Sequence, residues 1–386
     1  MRGGLAAAAP PSAFFLYRDS PLRRASLRAE PGSADRYWLF GADQLAARGF
    51  AVDHSLEPRF APRTRHAAAD RALRRLVDLA GGYGGDFATV LACRRAANAA
   101  DVVVSTVDTV GIPVALLAAV GVVRAPFVYT SIGLLERIER IRGARARRFY
   151  RRAIGQAEAV VAYGYAEAEA LRRWLADLPK APPVSFVPFG VDTTHFKPGE
   201  RTPEMDVVSV GADPQRDYEL LVRVASRLPE RNFLVVTDTD RARTLVGAPR
   251  NVTVTPGVPF DAIRDLLAVG RVVALPARDN LYSGATTTLL QAMALGRPVV
   301  VTRTAAIAGG YGLVDGETCR LVPPGDDAAF ERALRELLDR PEDAAALGAR
   351  AREHVVRELG WERYVDALET IIREAAARRA QDTANR

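Results

Sequence analysis

The chain has 386 residues, 48% of them hydrophobic and 26% charged. That excludes a disordered or fibrous polymer and, at roughly 100 to 200 residues per domain, points to two globular domains. Basic residues outnumber acidic ones by 53 to 46, for +7 overall, yet only Lys180 and Lys197 are lysines; arginine and alanine in such excess read as GC-rich coding, so net charge alone does not make a nucleic-acid binder.

The first dozen residues make a poor signal peptide and read as a frayed arm. Beyond them, short β-branched or aromatic runs alternate with helical patterns, the signature of βαβ units on parallel sheets. In the first half the spacing predicts strands over Ala13–Tyr17, Phe87–Leu91, Val102–Ser105, Phe127–Thr130 and Ala159–Ala162. It predicts helices over Ala34–Arg48, Thr64–Ala80, Leu134–Ile154 and Ala166–Leu175. The proline-rich stretch Leu178–Val187 reads as a linker. In the second half strands are expected over Val207–Val210, Phe233–Val236, Val252–Thr255, Arg271–Leu275, Val299–Val301 and Arg320–Val322. Helices there are expected over Tyr218–Leu228, Ala262–Leu267, Thr287–Leu295 and Asp327–Leu338, with a long amphipathic helix from Trp361 to about Ala377. The fold class is therefore α/β, with two facing Rossmann-like domains over 1–183 and 184–360 and a helix over 361–386 that packs back on the first domain. Ligands of such sheets sit beyond the carboxyl ends of the strands, which places the expected cleft between the domains.

Other features exclude chemistries. Cys93 and Cys319 are far apart, with neither CxxC nor Cys/His spacing, so no zinc site or disulfide framework is indicated and a reducing cytoplasm is expected. The longest apolar run, Val110–Val123, contains Pro113 and falls short of the ~20 residues of a membrane span. Asp238-Thr239-Asp240 has a metal-binding look but reads better as a helix N-cap, so no metal is expected. Gly81-Gly82-Tyr83-Gly84-Gly85 precedes a predicted strand instead of following one, the wrong order for a dinucleotide fingerprint, and reads as a flexible loop. Between Glu136 and Arg152 eight arginines face two glutamates; this is either an arginine-rich solvated helix or a site for an anionic acceptor or an acidic membrane surface. It lacks the interleaved aromatics of a nucleic-acid surface.

Two stretches of the second half carry the functional reading. Ser209-Val210-Gly211-Ala212-Asp213-Pro214-Gln215-Arg216 ends a strand on glycine and places an arginine ahead of the next helix. The second runs from the strand ending at Leu275 through Asp279-Asn280-Leu281-Tyr282-Ser283-Gly284-Ala285-Thr286-Thr287 into the helix that holds Gln291. A small-residue turn opening a helix offers free backbone N–H groups and the positive end of the dipole, most naturally to phosphate. Arg216, at the same sheet edge, can bind the same phosphates through its planar fork.

The run Val187-Pro188-Phe189-Gly190-Val191-Asp192 followed by Thr193 to Pro198, then Gly296-Arg297-Pro298, Asp315-Gly316-Glu317-Thr318 and Leu321-Val322-Pro323-Pro324-Gly325-Asp326, resembles the retaining GT-B glycosyltransferases of family 4. The resemblance covers about Phe186 to Asp326; the first half matches only in architecture. It implies a metal-independent transfer of a hexose from a nucleoside diphosphate sugar to a hydroxyl acceptor, small or lipid-linked, with no further cofactor. Arg216 falls where such enzymes have a lysine on the donor diphosphate, close to Gly211. Their two glutamates fall on Ser283 and Gln291; Gln291 suits ribose hydroxyls, while a serine cannot replace a carboxylate on the sugar, which leaves Asp279 or Asn280 for the hexose. Backbone N–H groups of Ala285, Thr286 and Thr287, following Gly284, would take the phosphates. On the acceptor side the family's histidine position holds Ser131-Ile132-Gly133, and Asp108 is either the residue that orients the acceptor or a helix N-cap. Two other readings fit the same fold: a sugar-nucleotide isomerase, and a non-catalytic partner subunit.

Overall fold

The computed structural model describes residues 10–30, 34–260, 262–282 and 284–384. Most of the arm lies outside them, as does Ser283. The chain forms two compact units, Met1–Ala162 with Glu167–Val187 and Val365–Arg386, and Tyr163–Ala166 with Pro188–Tyr364.

The first unit is a six-stranded parallel sheet of β1 (Ser12–Leu16), β2 (Ala51–His54), β3 (Val102–Ser105), β4 (Phe127–Ser131), β5 (Ala159–Ala162) and β6 (Val184–Phe186), in the order β2-β1-β3-β4-β5-β6. The three strands β3, β4 and β5 are buried along their whole length, which is why they read as unbroken Val, Ala and aromatic runs. Strand order reverses between β1 and β3, so the loops leaving these strands diverge and open a crevice at their carboxyl ends.

The second unit repeats the plan with β7 (Met205–Val210), β8 (Phe233–Thr237), β9 (Val252–Pro256), β10 (Gly270–Leu275), β11 (Val299–Thr302) and β12 (Arg320–Val322). All pairings are parallel, in the order β12-β11-β10-β7-β8-β9, and the reversal falls between β7 and β10. Both sheets carry helices whose apolar faces form a core, around Phe14, Phe87 and Phe127 in one unit and around Tyr218, Phe233 and Phe330 in the other.

Several expectations are corrected. Phe87–Leu91 is the start of a helix, Phe87–Ala99; the Asp86 carboxylate caps it by accepting from Thr89 N at 3.0 Å, and the apolar run is its buried face of Phe87, Val90, Cys93 and Ala97. The linker stretch contributes an edge strand, β6, paired with β5. The single helix expected over Leu134–Ile154 is two, Leu134–Glu139 and Ala144–Ile154, broken at Gly143 with φ 99°. The segment Ala34–Arg48 is likewise split by Phe40 and Gly41, both at positive φ.

The glycine-dense loop is pinned in place. A Cβ on Gly82 would stand 2.5 Å from the Tyr150 hydroxyl, and one on Gly85 would run into Thr109 O. Tyr150 also donates to Tyr83 O at 2.7 Å. The glycines are there because neighbouring chain runs hard against them.

Two helices, Pro21–Arg28 and Pro341–Glu358, have no sequence-based counterpart above, and the last helix continues to Ala384. Its first turn, Trp361–Tyr364, belongs to the second unit and its remainder to the first. In the first unit Glu369 meets Arg48 at 2.8 Å and Arg373 lies over the Phe50 ring.

Candidate active site

The loops that leave β7 and β10 carry the predicted phosphate residues, and they are tied into one body. Asp217 N donates to Pro276 O at 3.1 Å and Arg278 N donates to Gln215 O at 2.8 Å, so the Gly211–Asp217 loop lies along residues 276–278 at the strand-order reversal. Arg241 braces the loop from the next βα unit, with Nη1 donating to Arg216 O at 2.9 Å and Nη2 to Pro214 O at 3.1 Å.

Arg216 is only 1% exposed. Its guanidinium folds back over Gly211, where a Cβ would stand 2.7 to 3.0 Å from it; Gly211, at φ 152°, is the residue that admits this packing. Nη2 donates to Val210 O at 2.9 Å, while Nε and Nη1 are buried with no hydrogen-bond partner among the described residues. Burial pulls the Arg216 pKa below its ordinary range, opposed in part by the charges of Tyr218 and Asp213. A desolvated cation with idle donors is costly by itself and is relieved by an incoming anion.

Facing the same crevice, the helix Thr286–Ala294 starts at Ala285, which gives no side-chain cap, so its first-turn N–H groups have no side-chain acceptor among the described residues. Gly284 precedes it, and a Cβ there would come within 2.9 Å of Asp213 Oδ1. Asp213, which the sequence reading passed over, accepts from Gln215 N at 2.8 Å, and burial raises its pKa. Thr286 is fully buried and Thr287 half-buried. Gln291 is 1% exposed, and its Nε2 has no partner among the described residues. The structure therefore brings together Gly211, Arg216, Gly284, Ala285 and the helix carrying Thr286, Thr287 and Gln291.

Asp279 and Asn280 are engaged differently. Asp279 Oδ1 accepts from Asn280 N and from Ala305 N, and Asn280 O accepts from Ala306 N, which fastens their loop to the one after β11. Asn280 is buried, with Oδ1 unpartnered among the described residues, so of the two it has spare hydrogen-bonding capacity. Asp238 caps the helix Thr239–Thr244 by accepting from Arg241 N at 2.9 Å, and no metal-type cluster occurs among the described residues.

In the first unit Asp108 lies just past β3, at the β1/β3 reversal, and is not a cap: it is the first helical residue after Val107. Its carboxylate, 1% exposed, accepts from Tyr129 OH at 2.8 Å and Ile132 N at 3.2 Å and faces Arg137 Nε at 3.5 Å. Both oxygens are thus committed, and the role open to Asp108 is positioning. Burial pushes its pKa up to about 6, against the pull of Tyr129 and Arg137.

Glu167, equally buried, accepts from Ser131 Oγ at 2.6 Å and Gly133 N at 2.8 Å, and burial together with the Asp108 charge pushes it up to about 7. Two buried carboxylates, from the βα units on either side of β4, therefore clamp the Ser131–Gly133 loop. Sequence reasoning missed Glu167 because it sits in an Ala/Glu-alternating helix with no local sign of burial.

Residues 204–340 match the family described as Glycosyl transferases group 1. The chain resembles the GT-B glycosyltransferases of family 4. Among curated relatives of this GT-B protein, the MMP alpha-(1->4)-mannosyltransferase of Mycolicibacterium hassiacum is 30% identical over 203 residues, 50% of this chain and 48% of the relative. The D-inositol 3-phosphate glycosyltransferase of Saccharomonospora viridis is 30% identical over 255 residues, 58% and 57% of the two chains. The chain thus spans about half the length of these relatives. Among solved structures, sucrose-phosphate synthase from Thermosynechococcus elongatus superposes with TM-score 0.69 at 19% identity over 95% of this chain and 99% of that one. Anabaena HepE, solved in complex with UDP-glucose, gives 0.66 at 16% over 96% and 100%. At such identities the likeness establishes the GT-B fold class, two Rossmann-like units in one chain.

Proposed function

We propose that the protein is a retaining glycosyltransferase that moves a hexose from a nucleoside diphosphate sugar to a hydroxyl acceptor without a metal. The observation that carries this reading is the buried Arg216, with two idle N–H donors, beside an uncapped helix N-terminus at a strand-order reversal. Such a pair is built for a group with more than one negative charge, and a diphosphate supplies it. The naming of relatives as mannosyl- and inositol-phosphate glycosyltransferases, and the UDP-glucose held by HepE, support the same donor class.

In this reading the bond between the sugar C1 and the β-phosphate oxygen breaks, and the electron pair leaves with the nucleoside diphosphate. Arg216 and the N–H groups of Ala285 to Thr287 stabilise that developing charge. The acceptor hydroxyl bonds to C1 on the face the phosphate leaves, and its proton passes to the departing phosphate oxygen, so no protein nucleophile is needed. Gln291 meets the ribose through hydrogen bonds, and Asn280 meets the hexose more readily than Asp279, whose Oδ1 holds the neighbouring loop. Titration with UDP-, GDP- and dTDP-sugars is expected to show binding to at least one and slow release of free sugar; absence of binding to all of them would remove the reading.

For a lipid-linked acceptor, the helix Ala144–Ile154 supplies the membrane contact: Arg145, Arg148 and Arg152 are exposed, and Phe149 is 46% exposed among them. Each basic residue contributes about 1 kcal/mol near an anionic surface. Co-sedimentation with vesicles containing phosphatidylglycerol, but not with phosphatidylcholine alone, is expected and should fall sharply when the three arginines become glutamine. Equal sedimentation of the triple variant would count against this surface.

A further inference from the structure

Of the eight arginines between Glu136 and Arg152, Arg137 stands apart because it is anchored from below. It lies in the helix Leu134–Glu139 directly after β4, at the carboxyl edge of the first sheet. Its Nε is buried and makes no hydrogen bond among the described residues, lying 3.5 Å from Oδ2 of Asp108, which is itself 1% exposed. The guanidinium sits over the Tyr83 ring, 5.0 Å from its centre. Tyr83 belongs to the glycine-dense loop that Tyr150 and Thr109 hold in place.

The side chain is nonetheless 39% exposed, and with Nε buried that exposure falls on the rest of it. Asp108 is the one carboxylate within ion-pair distance of it among the described residues. Arg145, Arg148 and Arg152, by contrast, are exposed side chains on the following helix.

An arginine whose Nε is buried at ion-pair distance from a buried carboxylate and whose face rests on an aromatic ring has lost most of its rotamer freedom before any ligand arrives. Its outer N–H groups remain as a fixed fork, which matches the oxygens of a phosphate. We infer that Arg137 is the acceptor-side anion ligand, recognising a phosphate group carried by the acceptor, with Asp108 and Tyr83 as its positioning residues. The inference rests on the reading that the first unit takes the acceptor of a glycosyltransferase. The phosphate comes from a soluble phosphoester or from a lipid headgroup; the chemistry at Arg137 is the same.

The test is calorimetric titration of inorganic phosphate into the full chain after the donor site has been saturated with UDP or GDP, whichever binds. Wild type should bind phosphate, and Arg137→Gln should weaken it by about tenfold or more, as loss of a charge-assisted contact requires. Arg357→Gln, at an exposed arginine of the second unit, should leave it unchanged, and Asp108→Asn should weaken it while nucleotide affinity holds. If Arg137→Gln does not fold by circular dichroism, Arg137→Lys, which keeps the charge but not the fork, takes its place and should also weaken binding.

A parallel titration with phosphatidylcholine vesicles carrying phosphatidic acid separates the sources. A loss at Arg137 seen with vesicles alone assigns a lipid headgroup, and a loss seen with inorganic phosphate assigns a soluble phosphoester. Phosphate and vesicle binding both indifferent to residue 137 would overturn the inference. A failure of all nucleotides to bind would instead sink the glycosyltransferase reading; the phosphate titration is then made on the chain without nucleotide, and the difference between wild type and Arg137→Gln still reads the Arg137 contact.

Discussion

Replacement of Arg216 by methionine should lower transfer by about a hundred- to a thousandfold, roughly 3–4 kcal/mol of lost charge stabilisation, without unfolding the protein. The two halves of that expectation come from the same geometry. Arg216 is 1% exposed and leaves Nε and Nη1 without partners among the described residues, so the native state carries a desolvated charge. Methionine fills similar space against Gly211 without that charge, and the melting temperature of the unliganded protein should hold or rise. What is lost is the group that meets the departing diphosphate. Nucleotide protection against thermal unfolding should disappear in step with the rate. A variant that transfers sugar at the wild-type rate would remove the phosphate assignment, and one that melts well below wild type would recast Arg216 as a structural residue.

The loops of the candidate site could be picked out in the sequence because their residues are local: Gly211 and Arg216 lie on one loop, and Gly284 opens the helix that carries Gln291. The central strands were legible because parallel strands buried on both faces read as unbroken Val runs. Phe87–Leu91 was not, since a short apolar run looks alike as strand and as buried helical face; the Asp86 cap decides it, and its effect shows only in the Thr89 contact. The edge strands β2 and β6 were missed because Ala51-Val52-Asp53-His54 and Val184-Ser185-Phe186 bury little and owe their form to the strand beside them.

The buried charges of the first unit were hardest to read. Asp108, Arg137 and Glu167 are remote in sequence and are joined only by the fold, around a loop whose residues, Ser131-Ile132-Gly133, carry no charge. No spacing rule connects them. Arg137 is also hidden among seven neighbouring arginines of the same stretch.

The second large effect concerns that loop and follows from its buried acids. Glu167 titrates near 7 in the folded protein against an ordinary 4.5, chiefly because burial penalises its charge. Between these values the folded state keeps a proton that the unfolded chain has released. Raising the pH across that window therefore costs the folded state stability, and above it the loss is complete. For a shift of this size the loss is about 3 kcal/mol.

Glu167→Gln keeps an oxygen for Ser131 Oγ and Gly133 N and cannot ionise. Its unfolding free energy should match that of wild type near pH 4.5 and exceed it by about 3 kcal/mol at pH 8, with the difference opening between the two. Denaturant unfolding of both proteins at a series of pH values reads this directly. Taking the difference between them cancels every titration that the two proteins share, apart from any response of Asp108, whose charge acts on Glu167. That response has a known sign: a neutral neighbour eases ionisation of Asp108 and adds to the advantage of the variant at high pH. A difference that stays constant from pH 4.5 to 8 would mean that Glu167 is charged throughout, and the clamp would then be held by an ionised carboxylate with an unpartnered buried oxygen.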